Sequence, residues 1–388
     1  MNILHIAPYY APAWAFGGVV AALNGLARAQ AEAGHEVAVL TTDALTFDAR
    51  TPIRRETIDG VEVIRCRNLS HALRARYNLA TPLGFRRTLY EVAAASPPDV
   101  IHLHEWRTIE NLLLDRRLAP IVCSPHGTLG YGAGRAGFKR AWDRLFGRRL
   151  AQKMTRLIAL TGAEADEVRA LWTSFRLPLP EIAIVPNGVA ADLPQQIDAS
   201  SLDLRAQYGL GAGTVILFLG RLHERKGLQF LIPAFARAAP HDPDARLLIA
   251  GPDAGYESSA RQLAEAEGVS GRVIFAGMLS GADRLAALKA ADVFVLPAVG
   301  EGLSMAALEA MAGGQALILT PGCNLPEVTT EGAGWLVERT VEGVAGALRE
   351  ALADPNKRRE CGNRARAWVR RAFTWEVVAK AMIAAYQN

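Results

Sequence analysis

Two glutamates frame the stretch best equipped for chemistry, Glu301–Glu309, which reads EGLSMAALE. An apolar run over 292–297 (DVFVLP) precedes it and predicts a strand. The Ala-, Leu- and Met-rich residues that follow predict a helix through about Met311. On this reading Glu301 occupies the loop at the strand's carboxyl end, and Glu309 lies one to two turns inside the helix. Gly302 permits close backbone approach, Leu303 follows it, and Ser304 is a candidate N-cap. A helix start offers unpaired N–H groups and a positive dipole end, which suit a phosphate. The two carboxylates repel a phosphate and suit hydroxyl groups flanking it. Carboxylate, diphosphate site, carboxylate is the arrangement a nucleotide-sugar requires, with sugar hydroxyls at one end and ribose hydroxyls at the other. A surface loop leading into an amphipathic helix with two solvated glutamates is the plainer alternative.

A second charged segment, GRLHERKG over 220–227, leaves the strand predicted over 214–220 (TVILFLG). The Arg221 guanidinium fits phosphate oxygens bidentately, and the Lys226 ammonium is a compact point charge. Together they can neutralise the charge that grows on a departing nucleoside diphosphate. No Asp-x-Asp metal motif is expected, so side chains rather than a metal ion would have to supply the positive charge. The competing reading is a solvated charged loop. Asn324 and Glu327, in the loop PGCNLPE, follow a further predicted strand and can reach the same edge.

These segments need a scaffold. At 388 residues the chain is long enough for two or three domains, and half of it is hydrophobic. Its net charge of +4 does not argue for a nucleic-acid partner. The four cysteines, Cys66, Cys123, Cys323 and Cys361, form no CxxC pair and fit a reducing compartment. The apolar N-terminus has no basic n-region, and prolines at 8 and 12 interrupt it, so strand and loop are expected rather than a signal peptide. The uncharged stretch over 1–27 is broken by Pro8, Pro12, Gly17 and Gly18, so no continuous span of the roughly 20 apolar residues that cross a bilayer is expected.

Strand-like runs recur in the first half over 2–8, 36–41, 61–65, 100–104, 121–124, 157–160 and 182–185. In the second half they fall over 214–220, 246–250, 272–275, 292–296, 316–320 and 334–337. Helical patterns separate most of them. The alternation predicts two α/β domains, each a mostly parallel, doubly wound sheet, facing a central cleft. The expected boundaries are 1–190, 191–370 and a terminal helix over 371–388 returning to the first domain, with 192–201 as a polar linker. Ligands bind beyond the carboxyl ends of such strands. Three loops of the first half qualify: Gly17-Gly18, a candidate phosphate approach; His126-Gly127-Thr128, whose imidazole either faces ligand or is structural; and Pro186-Asn187-Gly188, a turn.

One segment differs in character. Arg135, Lys139, Arg140, Arg144, Arg148, Arg149, Lys153 and Arg156 run through a helical pattern with Trp142, Leu145, Phe146 and Leu150 on another face. This is the pattern of a helix lying on an anionic membrane, and equally of a solvated helix whose apolar stripe packs on its own domain. A second basic stretch holds Arg67, Arg74, Arg76, Arg86 and Arg87 with Tyr77 and Phe85. It would serve the same surface or an anionic acceptor.

GRLHERKG, EGLSMAALEAMA, PNGV, SPHGT and the early Gly-Gly loop occur in one order over nearly the whole chain. Together they resemble the retaining glycosyltransferases of family 4, which have the two-domain GT-B architecture of Rossmann-like domains. The resemblance implies a donor diphosphate held by Arg221 and Lys226, a donor sugar met by Glu301 and a ribose met by Glu309. It places His126 beside the reacting sugar and Gly17-Gly18 near donor phosphate or acceptor. It implies no metal and no cofactor beyond the nucleotide-sugar co-substrate. Leu303 and Ser304 depart from the usual EGFG, which bears on donor identity.

The expectation is therefore a metal-independent, retaining hexosyltransferase using a UDP- or GDP-sugar. Its acceptor would be a lipid-linked or growing glycan of bacterial surface polysaccharide. It would act in the cytoplasm, peripherally at the inner membrane face through the basic helix around Arg144. A nucleotide-sugar epimerase of the same fold and a non-catalytic nucleotide-sugar binder are the alternatives. A dinucleotide oxidoreductase lacks its GxGxxG after either first strand.

Overall fold

The computed structural model describes residues 1–131 and 136–387, except the side chains of His71, Ala75 and Arg76. Arg135 and the Arg76 side chain of the two basic stretches therefore lie outside the described residues. The chain divides into two compact units. The N-terminal unit comprises Met1–Gly188 and Trp375–Asn388, and the C-terminal unit comprises Val189–Thr374.

In the N-terminal unit the strands are β1 (Asn2–Ile6), β2 (Glu36–Thr42), β3 (Arg55–Ile58), β4 (Val61–Asn68), β5 (Pro82–Leu83), β6 (Val100–His104), β7 (Ile121–Ser124), β8 (Arg156–Ala159) and β9 (Glu181–Ile184). They form one sheet in the order β3-β4-β2-β1-β6-β7-β8-β9, with β5 paired to β4. All pairs are parallel except β3 and β5 against β4. Buried parallel strands are expected to be apolar throughout. Here β1, β6 and β7 carry His5, His102, His104 and Ser124 into the interior, all essentially inaccessible. The terminal helix Trp375–Gln387 packs on helix Gly18–Glu32, its Val378, Ala379 and Met382 sharing a core with Leu23, Leu26 and Ala27. Gly25 is required at that crossing, because a Cβ there would collide with the Trp375 indole.

The edge strand β3 has no counterpart in the sequence reading. Its residues RETI are mostly polar and alternate between exposed and half-buried at the sheet edge, and Asp59-Gly60, both at positive φ, close the hairpin to β4.

The C-terminal unit contains β10 (Val215–Leu219), β11 (Arg246–Ala250), β12 (Val273–Gly277), β13 (Val293–Leu296), β14 (Ala316–Leu319) and β15 (Gly334–Leu336). Their order is β12-β11-β10-β13-β14-β15, all parallel. Strand order reverses direction between β10 and β13, and in the other unit between β1 and β6. Those are the switch points where doubly wound sheets bind ligands. The polar linker expected over 192–201 is instead largely a helix, Leu193–Asp198. Pro194 near its start suits the first turn, Pro194 and Ile197 are buried, and Arg366 donates to the Pro194 carbonyl and the Asp198 carboxylate. The run was too short and too polar to show a period.

Candidate active site

The two charged loops of the C-terminal unit emerge on either side of its switch point, one after β10 and one after β13. Gly227 lets them meet: its φ is +84°, and a Cβ would strike the Pro297 carbonyl. That approach brings Lys226 Nζ to 2.8 Å from Glu301 Oε1. Each side chain is 18% exposed, so the pair is largely withdrawn from water while still reachable. Arg221 is exposed, and its side chain makes no hydrogen bond or ion pair among the described residues. Asn324, at a left-handed φ of 55°, donates to the Glu301 carbonyl at 2.6 Å and the Gly302 carbonyl at 3.2 Å. It therefore joins the site as a backbone clamp. Glu327 is exposed and is not drawn in.

Helix Met305–Gly313 begins as its sequence implies. Ser304 is the N-cap, its Oγ accepting the Ala307 N–H at 3.3 Å, which commits the hydroxyl to the cap. Leu303 is buried in the core, so only its backbone faces outward from that packing. Glu309 is the fifth residue of the helix. Its carboxylate accepts from Arg284, with Nε at 2.8 Å. Burial raises its pKa despite that guanidinium.

Three residues that hold this arrangement were not singled out by sequence. Arg225 donates to the carbonyls of Val299 (3.2 Å) and Gly300 (2.9 Å), and its own carbonyl accepts the Val299 N–H. Arg339 donates to Pro297 (2.9 Å) and Glu224 (3.2 Å). Both latch the β10 loop to the β13 loop. Arg284, the partner of Glu309, lies 25 residues earlier with no pattern to betray it. One Asp-x-Asp spacing does occur, at Asp242-Pro243-Asp244. It sits before β11, at the opposite end of the strands, where Asp242 accepts from Thr214 Oγ1 at 2.6 Å.

In the N-terminal unit Gly17 (φ 92°) and Gly18 start helix Gly18–Glu32 without a side-chain cap, with open space beside both. His126 follows β7 at a φ of 56°. Its loop is braced on two sides. Glu164 accepts the Gly127 N–H, and Arg107 donates to the Thr128 (2.7 Å) and Leu129 (3.1 Å) carbonyls. Arg107 is itself paired with buried Asp143 at 2.6 Å.

His126 does not stand alone. Its Nε2 lies 2.8 Å from His104 Nδ1, His104 Nε2 lies 3.0 Å from His5 Nδ1, and His5 Nε2 lies 2.7 Å from Gln30 Oε1. His102 lies alongside, bonded to Tyr386 Oη at 2.6 Å and Ser124 Oγ at 2.8 Å. Burial depresses all four imidazoles, His5 and His126 to about 4 and the other two well below their ordinary value. The network is neutral at pH 7. Ring nitrogens of His5, His102 and His104 lie close enough to gather round a cation. All six already have partners in the protein, and none of those partners is a carboxylate. Beyond β6, Glu105 and Glu110 are pushed up to about 7 by burial.

The basic segment resolves into helix Ala136–Trp142, a π-helical turn Asp143–Gly147 and helix Arg148–Ala151. Trp142 and Leu150 pack inward. Several of its cations serve the fold. Lys153 donates to the Leu112 and Leu114 carbonyls, Lys139 donates to Gly130, and Arg156 belongs to β8, where it donates to Ala385 and Glu181. Arg140, Arg144, Arg148 and Arg149 remain exposed, with Leu145 66% exposed among them.

Two doubly wound α/β units, with charged loops at the switch point of the second, constitute a GT-B fold, the architecture of nucleotide-dependent sugar transferases. The comparisons agree. Residues 17–188 match the glycosyl transferase 4-like domain, and residues 202–368 match the glycosyl transferases group 1. Between them these matches take in most of the chain, which belongs to this glycosyltransferase family. It is 27% identical over 386 residues to an uncharacterized glycosyltransferase of Methanocaldococcus jannaschii, covering 96% of this chain and 94% of the relative. It is 27% identical to the phosphatidyl-myo-inositol mannosyltransferase of Mycolicibacterium smegmatis, covering 96% and 90%. Among solved structures, Anabaena HepE in complex with UDP-glucose superposes with a TM-score of 0.72 at 19% identity, covering 100% of this chain and 99% of the other. At that identity the likeness is one of fold.

Proposed function

We propose that the chain moves a sugar from a nucleoside-diphosphate sugar, a UDP- or GDP-sugar, to an acceptor hydroxyl with retention at the anomeric carbon and without a metal ion. The observation that carries this reading is the Lys226–Glu301 pair with unpaired Arg221 beside it at the β10/β13 switch point. The bond from the anomeric carbon to the diphosphate oxygen breaks, a bond to the acceptor oxygen forms, and the acceptor proton passes to the leaving diphosphate. Negative charge grows on that diphosphate. Arg221, Lys226 and the start of helix Met305–Gly313 stabilise it there, the electrostatic role a metal would otherwise fill. In this reading Glu301 meets the sugar hydroxyls and Glu309 the ribose. Gly302 and Leu303 contribute backbone only, and Ser304 holds the helix start. Gly17 and Gly18 give the N-terminal unit an open, uncapped helix start suited to phosphate or acceptor.

The acceptor in this reading is a lipid-linked or growing glycan of bacterial surface polysaccharide. The mannosyltransferase relative, whose name carries a phosphatidylinositol, supports a lipid-linked one. Among the described residues no helix is long and apolar enough to cross a membrane. Contact with an anionic leaflet at the cytoplasmic face would fall to Arg140, Arg144, Arg148, Arg149 and Leu145.

The test is a panel of UDP-, GDP- and ADP-sugars, read by thermal shift and by nucleoside-diphosphate release. Stabilisation and release with one donor are expected. Conversion of the sugar without release would make the protein an epimerase, and silence across the panel would leave a non-catalytic binder.

A further inference from the structure

The imidazole chain behind His126 has a direction, and the direction sets what His126 presents. Gln30 is wholly buried. Its Nε2 lies 3.3 Å from Tyr386 Oη and its Oε1 2.7 Å from His5 Nε2. With the amide so oriented, His5 Nε2–H donates to Gln30, leaving His5 Nδ1 as an acceptor. His104 Nε2–H then donates to His5 Nδ1, and His126 Nε2–H donates to His104 Nδ1. On the other branch Gln30 donates to Tyr386, the Tyr386 hydroxyl donates to His102 Nδ1, and His102 Nε2–H donates to Ser124. Each of these contacts then has one donor and one acceptor, and each neutral ring carries one proton.

The chain ends at His126 Nδ1, which is buried and has no partner among the described residues. Reversing the chain would leave an N–H orphaned there instead of a lone pair. It would also turn the Gln30 amide, whose oxygen would then accept from Tyr386. Orphaned buried N–H groups are rarer in proteins than unpaired buried acceptors, which favours the first direction.

We propose that Gln30, His5 and His104 are positioning residues that hold His126 as its Nε2–H tautomer, so that its bare Nδ1 accepts a hydrogen bond from a substrate hydroxyl. The chain is not a proton wire, because an amide oxygen terminates it and has no proton to pass on. His126 thus orients a hydroxyl and does not act as the base. The identity of that hydroxyl, one on the sugar, rests on the transferase reading; the tautomer does not.

The experiment is a multiple-bond proton–nitrogen correlation spectrum of the uniformly 15N-labelled full chain at pH 7, with His126 assigned by loss of its signals in H126Q. A single Nε2–H tautomer is expected, and an Nδ1–H tautomer or an imidazolium overturns the proposal. Gln30→Met removes the terminal acceptor with little change of volume, whereas Gln30→Glu keeps one facing His5. Met at 30 is expected to give a mixture of His126 tautomers and to lower kcat/KM about tenfold, with Glu restoring both. An unchanged tautomer in Q30M overturns the chain. A mixed tautomer with unchanged kcat/KM overturns the hydroxyl role. Should no donor turn over, the spectra of wild type and Q30M still decide the tautomer, so failure of the transferase reading is told apart from failure of the chain.

Discussion

The two units share an architecture and differ in how they keep polar groups inside it. In the C-terminal unit the polar site is ionic: Lys226 faces Glu301, Arg284 faces Glu309, and Arg221 stands exposed. In the N-terminal unit the corresponding interior is neutral, four imidazoles depressed by burial and linked with Gln30, Ser124 and Tyr386. The ionic site can answer charge that appears on a phosphate. The neutral chain can only donate or accept hydrogen bonds and suits hydroxyls. A transferase that must stabilise a leaving diphosphate and align uncharged sugar oxygens has use for both.

Substitutions separate the two interiors. The largest effect is expected for Lys226→Ala, which removes the cation nearest the developing charge. It should lower kcat by roughly two to three orders of magnitude with the fold retained, read by steady-state rates beside circular dichroism. Wild-type turnover would break the assignment of the ionic site.

Next comes Glu110→Gln in the neutral interior. The Glu110 pKa of about 7 lies above its ordinary value because burial disfavours the carboxylate. The stabilising contribution of its protonated form is therefore complete below about 4.5 and lost as pH rises through 7. E110Q stays neutral, so it should be more stable than wild type at pH 8, by up to about 3 kcal/mol, with the difference nearly gone by about pH 4. Thermal melts at the two pH values read the difference.

Glu309→Gln should raise the donor KM about tenfold with little change in kcat, as expected when one charged hydrogen-bond partner of a ground-state contact is lost. Smallest is the surface effect. Each of Arg144→Gln, Arg148→Gln and Arg149→Gln should weaken partition to anionic vesicles about fivefold, corresponding to about 1 kcal/mol per cation. Neutral vesicles should show no difference in sedimentation assays.

Much of the ionic site is visible in the sequence because its parts are local. Strand-loop-helix around Glu301 and strand-loop around Arg221 and Lys226 each occupy one short segment, and Ser304 caps the helix as its type and position imply. What holds those segments together is not local. Arg225 reads as one of three cations in GRLHERKG, and nothing in the string says that its guanidinium is spent on carbonyls beyond β13. Arg284 and Arg339 are equally silent, since their partners are set by the fold.

The neutral interior leaves a trace in the sequence: His5, His102 and His104 interrupt strands otherwise apolar enough to be buried. Their registry, His5 opposite His102, follows only once β1 pairs with β6. The basic segment shows the converse. Its charge reads as uniform, yet Lys139, Lys153 and Arg156 are drawn into the protein by backbone carbonyls, while Arg140, Arg144, Arg148 and Arg149 face outward.

The most direct test of the ionic site is calorimetric binding of UDP, GDP and ADP, each beside its monophosphate, to wild type and to a variant carrying R221A and K226A. The account predicts that wild type prefers one diphosphate over its monophosphate by at least about tenfold, and that the double variant loses this preference while remaining folded. A preference that survives loss of both cations would contradict it.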